Sequence, residues 1–292
     1  VVDRKSLFGV LLALVSAMVL VGPATAQAAT PVLPNAHAHN DYQHARPLLD
    51  ALDRGFTSVE ADIYPAFGHL YVGHYPWDVR PERTLQSLYL EPLRQRVAAN
   101  GGRVLPGWDG EFQLLVDIKF NENDGYRWLD AAVRDPRYAG LFTRYVNGEV
   151  RRGPVTIVLS GRQPRDAVAG QADRFAFLDG RPGDLGSGVP ATLVPLVSAD
   201  WTTLFGWRGQ GPMPEGERAA LREHVRKAHA EGRRVRFWAT PDAPGADREA
   251  VWRELRAAGV DHLGSDDLDG LAAFLATPGA TSVRPNALVG SR

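Results

Sequence analysis

From about residue 30 the chain alternates short apolar runs of strand character with stretches whose apolar residues recur at helical spacing. The segments "NAHAH", "TSVEADIY", "FQLLVDIKF", "PVTIVLSG", "RFAFLD", "TLVPLVSAD", "RVRFWAT" and "VDHLGSDD" read as eight main strands. Between them, "RPLLDALDRGF", "TLQSLYLEPLRQRVAANGG", "GYRWLDAAVRD", "QPRDAVAGQ", "EGERAALREHVRKAHAEGR", "DREAVWRELRAAG" and "LDGLAAFLA" read as helices, several of them stopped by glycine. "HLYVGHY" adds one further short extended piece. Regular alternation predicts an α/β fold with a parallel sheet covered by helices. Eight units over about 250 residues predict a closed (β/α)8 barrel, spanning residues 31–277, rather than an open doubly wound sheet.

The flanks differ from the body. Arg4 and Lys5 precede an apolar run from Leu7 to Val21, and a small-residue region follows with Ala26-Gln27-Ala28 as an A-x-A site. That order predicts a secretory signal peptide over residues 1–28 and a secreted product, with an uncleaved anchor as the alternative. Residues 278–292 carry small and polar residues without periodicity and are expected to form a disordered tail.

Composition narrows the chemistry. The formal net charge is -1, from 33 Lys+Arg against 34 Asp+Glu, so no global field selects nucleic acid or an anionic membrane. The chain has no cysteine, which removes disulfides, thiolate nucleophiles and zinc–thiolate sites. "GRPGDLGSG" lacks the Gly-Lys-Ser/Thr ending of a phosphate loop and reads as surface.

Candidate chemistry lies at strand ends. Alternate strand side chains share a face, so Glu60 and Asp62 of "SVEADIY" project together, as do Asp117 and Lys119 of "LLVDIKF". In a barrel such ends converge on the C-terminal mouth, where three carboxylates form an oxygen-only cage suited to Mg2+ or Ca2+. Lys119 reads as a fixed positive charge for a phosphate, or as the ion-pair partner of Asp117. His37 and His39 end the first strand two positions apart, and His74 follows the short extended piece. A His-x-His pair can clamp a transition metal, but later strands supply few further histidines, because His224 and His229 fall on a long surface-like helix. The alternative is that His39 and His74 face each other as proton acceptor and donor.

The ordered set His39, Glu60-x-Asp62, His74, Asp117-x-Lys119 resembles the glycerophosphodiester phosphodiesterase and phosphatidylinositol phospholipase C-like superfamily. The "HNDY", "RFWATPD" and "GVDHLGSDDL" stretches are similar to its altered-inheritance-of-mitochondria branch. The resemblance implies a TIM barrel with one divalent cation, Mg2+ or Ca2+, on Glu60, Asp62 and Asp117, and catalytic roles for His39 and His74. Sphingomyelinase D-like members share the Asp-x-Lys spacing, which implies substrate contacts for Lys119 and for Trp238 beside a head group. The chain departs from the usual His-Arg-Gly opening, since Asn40 stands where the arginine would contact phosphate.

The expected function is a metal-dependent phosphoric diester hydrolase, or a cyclising lyase, acting on glycerophosphodiesters or phospholipids. Its expected partners are that small substrate and, transiently, a membrane surface, with no nucleic acid and a monomeric state. A barrel that binds a phosphorylated ligand without turnover is the second reading, and a zinc amidohydrolase-type site on the His-x-His pair the third.

Overall fold

The computed structural model describes residues 30–277; the signal-peptide and tail expectations lie outside the described residues. Eight parallel strands form the body: β1 (Leu33–Ala38), β2 (Phe56–Ala66), β3 (Phe112–Ile118), β4 (Val155–Gly161), β5 (Ala176–Gly180), β6 (Leu196–Asp200), β7 (Arg234–Trp238) and β8 (Leu263–Ser265). Each pairs in parallel with its neighbour in chain order from β1 to β7, and β8 returns to β1. A parallel bridge between Arg236 and His262 closes the ring between β7 and β8. The chain is therefore a (β/α)8 barrel.

Strand alternation divides the residues into two sets. Val59, Ala61 and Ile63 of β2, with Leu114, Val116 and Ile118 of β3, belong to the large core between the barrel and its helices. The other face of each strand lines the lumen, where Leu115, Val158, Phe177 and Leu196 of β3 to β6 form a separate small apolar cluster. The lumen beside β7, β8, β1 and β2 is polar instead, filled by buried Arg236, His262, His37, Ser58 and Glu60. The polar half of the lumen leads to the site described below.

Local deviations from the periodic pattern have identifiable causes. The "RPLLDALDRGF" helix is only one turn, α1 (Leu49–Leu52), because Leu48 at φ 64 breaks the helical backbone ahead of it. The next helix begins as a π-turn, Gln86–Leu90, before α2 (Glu91–Ala99). Pro92 at its start cannot donate to an α-type bond, and the wider turn absorbs that loss. The longer α3 (Glu122–Val133), α6 (Glu215–Ala230) and α7 (Ala246–Ala258), with the short α4 (Arg165–Ala169) and α5 (Trp201–Leu204) and a final α8 (Leu268–Ala276), complete the outer layer.

The periodicity does not predict a small antiparallel sheet of Arg144–Val146, Glu149–Arg151 and Asp173–Arg174. Its hairpin turns at Asn147-Gly148, with φ values of 48 and 99, the positive angles a two-residue turn needs.

Two features shape the ends of the barrel. β2 runs four residues beyond Asp62 and folds back on the strand His69–Val72, so this hairpin projects past the C-terminal mouth. At the opposite end, a cavity of about 580 Å3 is bordered by Asn35, Trp108, Glu111, Arg234 and His262. Its arginines are already paired among the described residues, Arg152 and Arg234 with Glu111, Arg103 with Asp109 and Arg233 with Glu231.

Candidate active site

Glu60 and Asp62 face the lumen from the same side of β2, and the β2–β3 register sets Asp117 directly beside Asp62. Ligand oxygens of Glu60, Asp62 and Asp117 all lie within 4.8 Å of one another. Like charges this close need compensation. Arg236 of β7 donates from Nη2 to Glu60 Oε2 at 2.8 Å, and Lys119 Nζ sits 3.0 Å from Asp62 Oδ2 and 2.9 Å from Asp117 Oδ1. The Ser160 hydroxyl of β4 donates to Asp117 Oδ2 at 2.8 Å.

Two cations against three carboxylates leave one negative charge at the base of the mouth. Burial raises the proton affinity of Glu60, but Arg236 first, then His37 and His39, outweigh it and hold the carboxyl well below its usual range. Asp62 goes the other way: burial, then the charge of Glu60, push it up to about 6 against the pull of Lys119. Its Oδ1 is buried without a partner. A crowded carboxylate with raised proton affinity and an orphaned oxygen fits a hard divalent cation, which would satisfy that oxygen and relieve the repulsion. The residues present could hold one.

The two histidines flank this cluster, and each is held by a carboxylate. His39 Nδ1 pairs with Asp266 Oδ1 at 2.7 Å, just after β8, and His74 Nδ1 pairs with Asp62 Oδ2 at 2.7 Å. A carboxylate at Nδ1 fixes the tautomer and leaves Nε2 as the working nitrogen. Burial lowers the proton affinity of His39, yet the Asp266 hydrogen bond and the Glu60 charge bring the net shift upward. Asn40, at φ 48, extends the same network: its Nδ2 donates to both Asp266 oxygens at 3.2 and 3.3 Å, and its Oδ1 accepts from the Tyr42 hydroxyl at 3.0 Å.

His37 does not share the surface position of His39. It is fully buried, its Nδ1 2.7 Å from Ser58 Oγ and its Nε2 3.6 Å from Glu60 Oε2. Burial first, then Arg236, lowers it to about 4, which keeps the ring neutral beneath the carboxylates. Trp238 ends β7 at the mouth and is partly exposed, whereas Trp201 and Trp207 are core residues.

The structure thus brings His39, His74, Glu60, Asp62, Asp117 and Lys119 to one end of the barrel. Sequence reasoning missed Asp266, Arg236 and the Ser160 contact to Asp117. Asp266 lies inside the "GSDDL" stretch, but two adjacent aspartates offer no way to choose the one that meets a histidine 227 residues away.

Two family models match segments that carry part of this site. A family model described as the AIM6-like phosphodiesterase domain matches residues 26–103, which carry His39, Glu60, Asp62 and His74. One for the glycerophosphoryl diester phosphodiesterase family matches residues 234–269, which carry Arg236, Trp238 and Asp266. The altered inheritance of mitochondria protein 6 homolog of Arthroderma benhamiae is 31% identical over 80% of this chain and 81% of its own length. Altered inheritance of mitochondria protein 6 of Eremothecium gossypii is 34% identical, over 84% of this chain and 70% of its own. With fold, matched domains and similarity over at least four fifths of the chain in agreement, the chain belongs to the altered inheritance of mitochondria protein 6 family, within the glycerophosphodiester phosphodiesterase-like branch of (β/α)8 barrels.

Proposed function

We propose that the protein is a phosphoric diester hydrolase, or a cyclising phosphotransferase of the same bond, working at the barrel mouth with His39 and His74. The observation that carries this reading is the pair of histidines beside a three-carboxylate cluster, each oriented at Nδ1 by a carboxylate, His39 by Asp266 and His74 by the cluster's own Asp62. A protein that only bound a phosphorylated ligand would have no use for two oriented proton carriers.

A divalent cation on Glu60, Asp62 and Asp117 would supply Lewis acidity and charge neutralisation for the phosphate. The chain's own groups do the rest. Lys119 holds a positive charge beside the cluster, where the developing charge on the phosphoryl oxygens would be stabilised. His39, made more basic by Asp266, accepts the proton of the attacking hydroxyl or attacks through Nε2 itself. His74 returns a proton to the leaving oxygen. Trp238 borders the mouth with an exposed indole face for the substrate's head group.

The test is turnover of glycerophosphodiesters, lysophospholipids and phosphatidylinositol with Mg2+ or Ca2+, repeated with His39→Ala and His74→Ala. Each substitution is expected to reduce turnover by about a hundredfold or more. Full activity in both variants would refute the two-histidine mechanism.

A further inference from the structure

Phe67, Tyr75, Trp77, Phe120, Leu204 and Trp238 are the exposed large hydrophobic side chains among the described residues. All six lie at or beyond the C-terminal ends of the barrel strands. Phe67 tips the hairpin that continues β2, and Tyr75 and Trp77 follow its return strand. Phe120 comes two residues after β3, Leu204 ends α5 just after β6, and Trp238 ends β7. Exposed apolar side chains scattered singly over a surface need no explanation, but a set confined to one end, around one opening, does.

Internal packing does not account for them. Phe67 is 91% exposed and its backbone adopts φ 49, a conformation unfavourable for an aromatic residue, so neither packing nor local geometry favours phenylalanine there. Trp77 is 69% exposed and stacks on Tyr75 with ring centroids 4.6 Å apart. Phe120 stacks on Tyr64 at 5.3 Å. Beside them, Arg80 donates to the Trp77 carbonyl at 2.7 Å and forms no ion pair among the described residues. Aromatic rings beside a guanidinium that bonds only backbone carbonyls, those of Trp77 and Val79, form the composition that settles at the lipid head-group level, where rings enter the apolar boundary and the cation meets phosphates.

We infer that the mouth of the barrel docks on a phospholipid bilayer through this aromatic rim, with the Phe67 hairpin tip and Trp77 as its inserted points. The inference rests on the phosphodiesterase reading only for its consequence: the substrate class becomes a phospholipid presented by the bilayer, its head group reaching the carboxylate cluster from the docked face.

The experiment is co-sedimentation of the full chain with vesicles of mixed phosphatidylcholine and phosphatidylglycerol. Phe67→Asn, chosen because asparagine tolerates positive φ, and Trp77→Ser are compared singly and together with wild type. All variants retain the apolar N-terminal segment, so a difference from wild type reports the rim. The expected result is vesicle binding by wild type, reduced at least tenfold in the double variant with an unchanged near-ultraviolet circular dichroism spectrum. Absence of wild-type binding, or equal binding by the double variant, overturns the proposal. So does a concentration-dependent dimer in sedimentation velocity that the double variant abolishes, because the rim would then be covered by a second copy. Turnover of a water-soluble glycerophosphodiester by wild type, measured alongside, separates the two readings. Vesicle binding without such turnover supports docking and counts against the hydrolase, while turnover without vesicle binding does the reverse.

Discussion

Asp266 meets His39 across the seam between β8 and β1, with Oδ1 2.7 Å from Nδ1. The parallel β8–β1 register pairs Ser265 with Ala38, so the residues that follow each strand emerge side by side. The contact is a consequence of barrel closure, and it makes Asp266 a positioning residue for His39.

Asp266→Asn keeps the shape but removes the charge that raises the proton affinity of His39. Turnover is expected to fall by about ten- to a hundredfold with little change in KM. The limb of the pH–rate profile governed by His39 should shift to lower pH, since the raising contribution is lost. A change in KM alone would assign Asp266 to substrate binding instead.

Divalent cations should stabilise the folded protein. A ligand that binds only the native state adds about 2.7 kcal/mol at a hundredfold excess over its Kd. Calorimetric melting of chelator-treated protein is expected to show a rise in Tm on adding Mg2+ or Ca2+, lost in Asp62→Asn. If Tm stays constant up to millimolar cation, the carboxylate cluster is not a metal site.

Gly161 ends β4 with φ 65, and a Cβ there would lie 2.3 Å from Asp117 Oδ1 and 2.7 Å from the Ile118 carbonyl. Gly161→Ala must displace Asp117 and strain the backbone. A stability loss of about 1–3 kcal/mol and at least tenfold weaker cation binding are expected, measured by denaturant unfolding and titration calorimetry.

Asp41 supplies a pH dependence of stability. Its buried carboxyl is pushed up to about 7, chiefly by burial, against hydrogen bonds from the Leu48 amide at 2.6 Å and the Tyr89 hydroxyl at 2.8 Å. Unfolded, it titrates near 3.8, so between these values the folded state binds the extra proton. Its contribution is therefore complete below about pH 3.8 and lost as pH rises to about 7, on the order of 4 kcal/mol. Asp41→Asn can still accept both hydrogen bonds and should flatten that fall. Denaturant midpoints at several pH values across this window check it, and an unchanged slope would contradict it.

The sequence by itself determined the eight main strands and their alternation with helices, though not the small antiparallel sheet, because parallel strands buried on both faces and helices with one apolar stripe leave different spacings in the chain. It also determined that Glu60 and Asp62 share a face, since strand alternation is a local property of the backbone. The resemblance in residue order pointed to His39, His74, Asp117, Lys119 and Trp238, and barrel closure gathers them at one mouth. The tertiary structure alone decided the partners. Arg236 reaches Glu60 across 176 positions and Asp266 reaches His39 across 227, and neither distance leaves a spacing signal in the chain. His37 and His39 look equivalent in the sequence, yet strand direction buries one against Ser58 and leaves the other at the rim. The aromatic rim belongs to the same class: its six residues come from four separate loops and strand ends, and only the common direction of the barrel strands places them around one opening.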